Sequence, residues 1–195
     1  MKNYIIKQIT DSAATKQAIL ENEPLLDTIV TVAQACVAVY RHGKKTILAG
    51  NGGSAADAQH IAAELVGRYG FDRPSIPSLA LTTDTSNLTA IGNDYGYDKV
   101  FSRQLEGMAQ EGDLFIGIST SGNSQNIINA FESAKDRGVT TVALVGRDGG
   151  KMAAMADYAI IIPSQATPRI QESHILIGHI LCDIIEKELF GGGVA

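Results

Sequence analysis

Residues 46–64 read TILAGNGGSAADAQHIAAE and contain the transition that decides the fold. The first four residues are apolar or β-branched and predict a short buried strand, and the alanine-rich sequence from Ala55 onward predicts a helix. Between them lies the glycine loop, residues 50–54, whose three glycines permit a tight turn and a close approach of a ligand to the backbone. A glycine-rich turn without any ligand fits the same pattern equally well.

Outward from this stretch, the chain alternates short apolar runs with sequence of helical length. Four further runs of this kind predict strands. They lie at residues 78–81, 114–118, 140–145 and 158–162. Two helices are predicted before the first strand, between about residues 4 and 42, and a last one at about 169–190. The alternation indicates an α/β fold with helices on both faces of a parallel sheet. We expect one domain over residues 1–195, with N-terminal helices at about 1–43 and an α/β core at about 44–190.

The composition indicates a compact soluble protein, since 45% of the 195 residues are hydrophobic and the net charge is -5. The basic residues are scattered, so direct binding of nucleic acid is not expected. The N-terminus lacks the long apolar run of a signal peptide, and no segment is expected to approach membrane-spanning length. We therefore expect a cytoplasmic protein without membrane contact. Cys36 and Cys182 form no C-x-x-C motif and are expected to be buried, reduced thiols.

A second loop with ligand-binding character follows the apolar run at 114–118. This serine loop, residues 119–124, reads STSGNS and precedes a helical pattern at 127–134. Free N–H groups and the helix dipole both favour an anion at a helix N-terminus. A helix cap would need one hydroxyl, whereas four favour a bound ligand. Because the loop has no lysine and no G-x-x-x-x-G-K-[ST] motif occurs, we expect a phosphate monoester rather than a nucleoside triphosphate.

The glycine loop also satisfies the loose dinucleotide-binding pattern G-x-G-x-x-A from Gly50 to Ala55. Asp84, just past the second predicted strand, could meet a ribose hydroxyl, so a nicotinamide-dependent dehydrogenase is a rival interpretation. Asp84 stands farther from Gly50 than the fingerprint expects, and two helices precede the first strand. The rival would also leave the serine loop without a role, so we favour a phosphate-binding protein.

Candidate acid–base or metal-binding side chains lie on the predicted helices. His60 and Glu64 are four residues apart and share a helix face, with about 40° between them. An exposed His–Glu pair is a common alternative, but the nearby glycine loop favours proton transfer or metal binding. In the last helix, His179 lies among aliphatic residues and could equally be a core histidine. Around the helix axis, Glu172 lies about 20° from His179 and Gln171 about 80° from it, so helix spacing favours Glu172 as its neighbour.

Four segments together resemble one known family. They are GNGGSAADAQHIAAE at 50–64, TTDTSNLTAIGNDYGY at 82–97, STSGNS at 119–124 and RIQESHILIGH at 169–179. In these segments the chain is similar to the phosphoheptose isomerases of the sugar-isomerase (SIS) domain superfamily, and the similarity extends from the first helices to Phe190. The resemblance implies a flavodoxin-like, doubly wound domain with five central parallel strands. It also implies a homotetramer with active sites at subunit interfaces.

The reaction that the resemblance implies is the interconversion of sedoheptulose 7-phosphate and D-glycero-D-manno-heptose 7-phosphate through an enediol, the first step toward the ADP-heptose of lipopolysaccharide. The family pattern assigns the acid–base pair to Glu64 and His179. It assigns one zinc ion per subunit to His60, Glu64, Gln171 and His179, and so selects Gln171 where helix spacing favours Glu172. The implied substrate contacts are Asn51, Gly52, Gly53, Ser54, Glu64, Asn93, Asp94, Ser119, Thr120, Ser121, Ser124 and Gln171, with Arg68 as a further candidate.

A second interpretation comes from a non-catalytic relative in the same superfamily, the initiator-associating protein of bacterial chromosome replication. That branch resembles the chain over most of its length but lacks the acid at the position of Glu64 and the histidine at the position of His179. This chain has both residues. The sequence therefore favours an enzyme over a regulator that binds the replication initiator.

Overall fold

The computed structural model describes residues 1–193, in which two helices precede an alternation of strands and helices. The elements are α1 (Lys2–Leu20), α2 (Glu23–Arg41), β1 (Thr46–Gly50), α3 (Gly53–Val66), β2 (Ser78–Ala80), α4 (Thr85–Tyr95), α5 (Ser102–Met108), β3 (Leu114–Ser119), α6 (Gln125–Asp136), β4 (Thr140–Gly146), α7 (Gly150–Met155), β5 (Tyr158–Ile162) and α8 (Thr167–Glu186). A 3₁₀ turn at Tyr97–Lys99 lies between α4 and α5, and a π-helical turn at Lys187–Gly191 follows α8.

The break between the first two helices has a local cause. Asn22 caps α2 by accepting a hydrogen bond from the Leu25 N–H over 3.2 Å, and Pro24 occupies the first turn. An asparagine cap followed by proline is a typical helix start, because neither position needs an intrahelical donor. The prediction of two helices before the first strand is therefore confirmed.

The five strands form one parallel sheet in the order β2-β1-β3-β4-β5. This is the flavodoxin-like order of doubly wound folds, so the predicted fold is confirmed. The strand order reverses between β1 and β3, where a crevice forms at the carboxyl ends of the strands. Gly50 at the end of β1 pairs with Ile118 in β3. The glycine loop and the serine loop therefore leave the sheet side by side.

Both faces of the sheet are covered by helices. Successive strand residues point to opposite faces. Leu48 and Ile116 thus join a core with α2, α3 and α8, whereas Ile47 and Phe115 join a second core with α5 and α6. All residues of β3 are buried. Burial on both faces explains why the strands are continuous apolar runs rather than alternating ones.

Helix α2 differs from one expectation drawn from the sequence. Among residues 1–193 it is the one helix long and apolar enough to cross a membrane, by length and composition alone, whereas no such segment was expected. Its apolar residues recur at three and four positions and form one buried face, which includes Ile29, Val32 and Cys36. The hydropathy of α2 is therefore explained by its packing in the core.

The two cysteines are free and buried, as predicted. Burial raises the pKa of Cys36 to about 12, and burial with the nearby Glu64 carboxylate raises the pKa of Cys182 to about 12. Both thiols are therefore protonated at neutral pH and act as packing groups.

Candidate active site

The glycine loop turns sharply from β1 into α3. Gly52 has a φ of 56° and a ψ of -120°, a conformation that other residues rarely adopt. Gly50 has no room for a side chain, because a Cβ there would lie 2.5 Å from the carbonyl oxygen of Ser54. Ser54 itself is buried. The turn therefore requires glycine at both positions, and it places the N-terminus of α3 at the carboxyl edge of the sheet. The N–H groups of Ser54 and Ala55 donate within the turn, to the carbonyl oxygens of Asn51 and Gly52.

The serine loop connects β3 to α6, and its hydroxyls gather in one place. Ser119 Oγ lies 2.9 Å from Ser124 Oγ and 3.5 Å from Ser121 Oγ, and Thr120 between them is half-buried. Ser124 occupies the N-cap position of α6 but makes no side-chain cap hydrogen bond. The amides in the first turn of α6 thus lack a side-chain cap. This arrangement agrees with an anion site better than with a serine helix cap.

The first turn of α7 and the loop before it brace the serine loop. The Lys151 N–H donates to Asn123 Oδ1 over 3.1 Å, and the Met152 N–H donates to the Gly122 carbonyl over 3.0 Å. The two backbones touch, because a Cβ on Gly122 would lie 2.0 Å from the Gly149 carbonyl oxygen. These contacts fix the position of the hydroxyl cluster relative to the sheet.

Three of the predicted site residues come together between α3 and α8. His60 Nε2 lies 3.0 Å from Glu64 Oε1 and 3.2 Å from His179 Nε2. One possible ligand atom from each of the three side chains lies within 4.8 Å of the others. The helices approach closely at Gly178, where a Cβ would lie 2.6 Å from Ile61 Cδ1. The glycine beside His179 thus allows the two imidazoles to meet.

The histidine of α8 that is fully buried is His174 and not His179. His179 is half-buried, whereas His174 is fully buried with its Nε2 3.1 Å from the Val145 carbonyl oxygen. Burial lowers the pKa of His174 to about 4, so its ring is neutral and Nε2 donates to that carbonyl. His174 is therefore the core histidine, and His179 is available to the cluster with His60 and Glu64.

Gln171 and Glu172 make different contacts from the first turns of α8. Gln171 lies against the glycine loop, since a Cβ on Gly53 would be 2.6 Å from Gln171 Nε2. Glu172 accepts hydrogen bonds from two side chains of α1, from Ser12 over 2.7 Å and from Lys16 over 3.2 Å. The preference for Glu172 that helix spacing suggested is wrong, because its carboxylate is engaged by α1.

The predicted contacts on α4 are exposed to solvent. Asn93 Nδ2 donates to Asp94 Oδ1 over 2.8 Å, and within residues 1–193 neither side chain bonds to the glycine loop or the serine loop. The turn after α4 does reach the site, since Tyr97 OH donates to Asn51 Oδ1 over 3.0 Å. Arg68 is exposed just beyond the end of α3.

Asp84, the acid of the dinucleotide pattern, is a helix cap. It accepts hydrogen bonds from the N–H and the Nδ2 of Asn87, each over 2.9 Å, at the start of α4. Both carboxylate oxygens are engaged within the helix, which disfavours the dehydrogenase interpretation.

A buried ion pair anchors the segment after α3. Glu186 accepts hydrogen bonds from the N–H groups of Tyr69 and Gly70 over 2.8 and 2.6 Å and from Arg73 Nε over 3.0 Å. Burial alone would raise the pKa of Glu186, but these hydrogen bonds outweigh it and lower the pKa below its ordinary value. The Tyr69 ring lies 5.8 Å from the His179 ring. The anchor thus holds an aromatic side chain beside the cluster, and no sequence motif indicated it.

The arrangement combines two chemical capacities. The carboxylate of Glu64 and the imidazoles of His60 and His179 are side chains of the kinds that accept and donate protons in enzymes. Two nitrogens and one oxygen are also a donor set that suits zinc. The serine loop at the neighbouring strand end can hold a phosphate group.

Comparisons with known proteins agree with this geometry. Residues 9–146 match the family model described as SIS domain. The chain is 78% identical to the phosphoheptose isomerase of Sulfurimonas denitrificans, with 100% of both proteins covered. It is 60% identical to the phosphoheptose isomerase of Aneurinibacillus thermoaerophilus, over 97% of this chain and 96% of the relative.

Solved structures give the same result. The phosphoheptose isomerase of Neisseria gonorrhoeae matches with a TM-score of 0.90 and 44% identity, covering 95% of this chain and 98% of the other. That of Francisella tularensis matches with a TM-score of 0.91 and 36% identity, covering 95% and 97%. The chain therefore belongs to the phosphoheptose isomerase family of SIS-domain enzymes.

Proposed function

We propose that the protein is a cytoplasmic enzyme that converts sedoheptulose 7-phosphate into D-glycero-D-manno-heptose 7-phosphate, the first step toward the ADP-heptose of lipopolysaccharide. The observation that carries the proposal is the contact of His60, Glu64 and His179 between α3 and α8, with a cluster of hydroxyls at the neighbouring strand end. Relatives that match the chain from end to end bear the name phosphoheptose isomerase, which supports the same substrate.

The substrate would bind across the crevice between the two loops. Its phosphate would occupy the serine loop, bound by hydroxyls and by the uncapped amides of α6. Its sugar would lie toward the start of α3 and the end of α4. The residues assigned to these contacts are Asn51, Gly52, Gly53, Ser54, Glu64, Asn93, Asp94, Ser119, Thr120, Ser121, Ser124 and Gln171.

Isomerisation requires the movement of one carbon-bound proton and one oxygen-bound proton. Glu64 would remove a proton from C1 of the ketose, so that the electron pair forms the C1–C2 double bond and the C2 oxygen takes a proton from His179. The resulting enediol then loses the proton on O1 to His179, and Glu64 returns its proton to C2, which gives the aldose. The half-buried carboxylate of Glu64 and the imidazole of His179 lie near each other, because His60 contacts both.

The same residues fit a zinc ion, and we propose one per subunit held by His60, Glu64, Gln171 and His179. The facing Nε2 atoms of His60 and His179, 3.2 Å apart, and Glu64 Oε1 beside them offer the nitrogen and oxygen ligands that zinc prefers. The amide of Gln171 lies at the adjacent start of α3. When bound, zinc would act as a Lewis acid toward a substrate oxygen.

A homotetramer with active sites at subunit interfaces is part of the proposal. Helix α1 supports it, because large apolar side chains along this helix are exposed in the single chain, among them Tyr4, Ile5, Ile6 and Ile9. Contiguous exposed apolar surface is typical of contacts between proteins. Light scattering of the purified protein would measure the number of subunits.

The alternative of a non-catalytic regulator that binds the replication initiator is disfavoured by the site. Glu64 and His179, the two residues that such a protein lacks, are both present and share contacts with His60. A turnover assay with sugar phosphates separates the two functions, because a regulator would convert none of them.

Purified protein incubated with sedoheptulose 7-phosphate should form the heptose 7-phosphate. In deuterated water the sugar should gain deuterium at C1 or C2, because a proton held on a carboxylate exchanges with solvent, whereas a hydride shift would carry none in. Glu64→Gln keeps the size of the side chain but cannot accept the proton, so kcat should fall by about 10²–10⁴-fold with the fold retained.

Glu132→Gln, at an exposed position on α6, is the matched control and should leave kcat unchanged. Wild-type turnover by Glu64→Gln would exclude Glu64 as the base. Absence of turnover of any sugar phosphate by the unmodified protein would favour the regulator.

A further inference from the structure

The side chain of Asn51 is engaged mainly by the protein itself. Asn51 Nδ2 donates to Asn126 Oδ1 and Asn126 Nδ2 donates to Asn51 Oδ1, each over 2.9 Å. Tyr97 OH donates to the same Asn51 Oδ1 over 3.0 Å. An amide oxygen has two lone pairs, so that of Asn51 is fully used. The backbone of the glycine loop, more than the Asn51 side chain, is therefore left for a ligand.

Asn126 connects two separate parts of the site. It lies in the first turn of α6, the helix that begins at the serine loop, and it is 3% exposed. Its side chain crosses to the glycine loop, which begins the helix that carries His60 and Glu64. The reciprocal amide pair thus spans the crevice where the strand order reverses.

We infer that Asn126 is a positioning residue that acts through Asn51 and sets the spacing between the serine loop and the glycine loop. The inference rests on the proposed function, in which one substrate is held by its phosphate at the serine loop while its reacting carbons lie beside Glu64. Such a substrate reacts only when the two parts of the site are correctly spaced. Two parallel hydrogen bonds between planar amides fix both distance and orientation.

The first test separates catalysis from phosphate binding. Asn126→Ala removes both hydrogen bonds, and Asn126→Leu removes them with about the same side-chain volume and adds no charge beside the serine loop. Both variants should lower kcat by about 10–100-fold, since a displacement of about 1 Å costs up to about 10²-fold. Under the proposed function, inorganic phosphate should occupy the serine loop alone and compete with the substrate, and its inhibition constant should change by no more than about twofold in these variants.

Asn129→Ala is the matched control. Asn129 lies one turn further along α6 and also makes a tertiary hydrogen bond, donating to the Asp98 carbonyl over 2.8 Å, but it does not contact the glycine loop. This variant should keep kcat. An equal loss of kcat in Asn129→Ala, or a parallel loss of phosphate inhibition in the Asn126 variants, would show a general structural role and overturn the inference.

A double variant tests whether Asn126 acts through Asn51. If it does, Asn51→Ala/Asn126→Ala should lose no more kcat than Asn51→Ala alone, because both changes break the same pair. Losses that multiply would show that Asn126 acts independently, which contradicts the inference.

Hydrogen exchange tests the spacing without reference to activity. Asn126→Ala, or Asn126→Leu if the alanine variant does not fold, should speed amide exchange in residues 51–55 by about tenfold, although the substitution lies on a different helix. Asn129→Ala should not. Unchanged exchange in the glycine loop would overturn the inference even if the protein is an isomerase. Absence of turnover by the unmodified protein would instead contradict the proposed function and leave the exchange result to decide on Asn126.

Discussion

Replacing Gly178 by alanine tests whether the spacing of α3 and α8 controls the histidine–glutamate cluster. A Cβ at this position would lie 2.6 Å from Ile61 Cδ1 and 2.8 Å from Ile61 Cγ1. Since carbon atoms make ordinary contact at about 3.5–4.0 Å, the helices or the side chain must move by about 1 Å. Rotation of the terminal methyl group does not relieve the clash, because Cγ1 is also too close and Ile61 is buried in the core.

The expected change in the free energy of unfolding combines two opposite effects. Overpacking of a core costs about 1–3 kcal/mol, whereas alanine gains about 0.8–1.0 kcal/mol over glycine inside a helix. The net destabilisation is about 0–2 kcal/mol, which lowers the Tm by up to about 8 °C. Gly107 on α5 is the matched control, since nothing lies within 4 Å of its Cβ position. Gly107→Ala should therefore raise the Tm, by about 2–4 °C.

The same displacement should reduce activity, because Gly178 adjoins His179 and Ile61 adjoins His60. A shift of about 1 Å in the 3.2 Å contact of the imidazoles should lower kcat by up to about 10²-fold. Ile61→Ala in the Gly178→Ala background removes both contacting atoms and should restore part of that loss. If Gly178→Ala raised the Tm as Gly107→Ala does and kept its kcat, the spacing of α3 and α8 would not limit the cluster, and the reasoning would be refuted.

Two further predictions concern the phosphate and the metal. Alanine at Ser119 and Ser121 should raise KM with little change in kcat, because phosphate binding is lost equally in the ground state and the transition state; a collapse of kcat at constant KM would show that the loop is not a simple phosphate anchor. Elemental analysis of protein purified without chelator should find zinc in the unmodified chain and little in His60→Ala. Full activity in a metal-free preparation would contradict the zinc proposal and leave the isomerase proposal intact.

The sequence predicted the fold and the positions of the glycine loop and the serine loop because these depend on local patterns. An apolar run that ends in Gly50 predicts a buried strand followed by a turn, and this prediction requires no knowledge of other elements. The serine loop was equally visible, since hydroxyls before a helical pattern have few other uses. The parallel sheet places both loops at one edge, so their proximity followed from the predicted topology.

Helix spacing alone could not decide between Glu172 and Gln171 as the neighbour of His179, because that choice depends on the elements packed against α8. The angle around α8 favoured Glu172 over Gln171, but α1 supplies Ser12 and Lys16 to bind that carboxylate. Periodicity gives the direction of a side chain around its own helix and does not reveal which partners lie there.

Long-range contacts also decide the roles of two other residues. His174 and His179 have similar aliphatic neighbours in sequence, yet only His174 lies against the sheet, beside Val145. Asn126 could not be identified from sequence, because its partner Asn51 is on another strand end and no motif joins them.

The anchor at Glu186 has a mechanical consequence. Arg73, paired with Glu186 from α8, also donates to the carbonyl oxygens of Glu64 and Leu65 over 2.9 and 2.7 Å at the end of α3. With the close contact at Gly178, the two helices are joined at two points along their length, and these contacts oppose sliding and rotation between them. We therefore expect α3 and α8 to move as one rigid body, so that His60 and His179 keep their separation when other parts of the chain move.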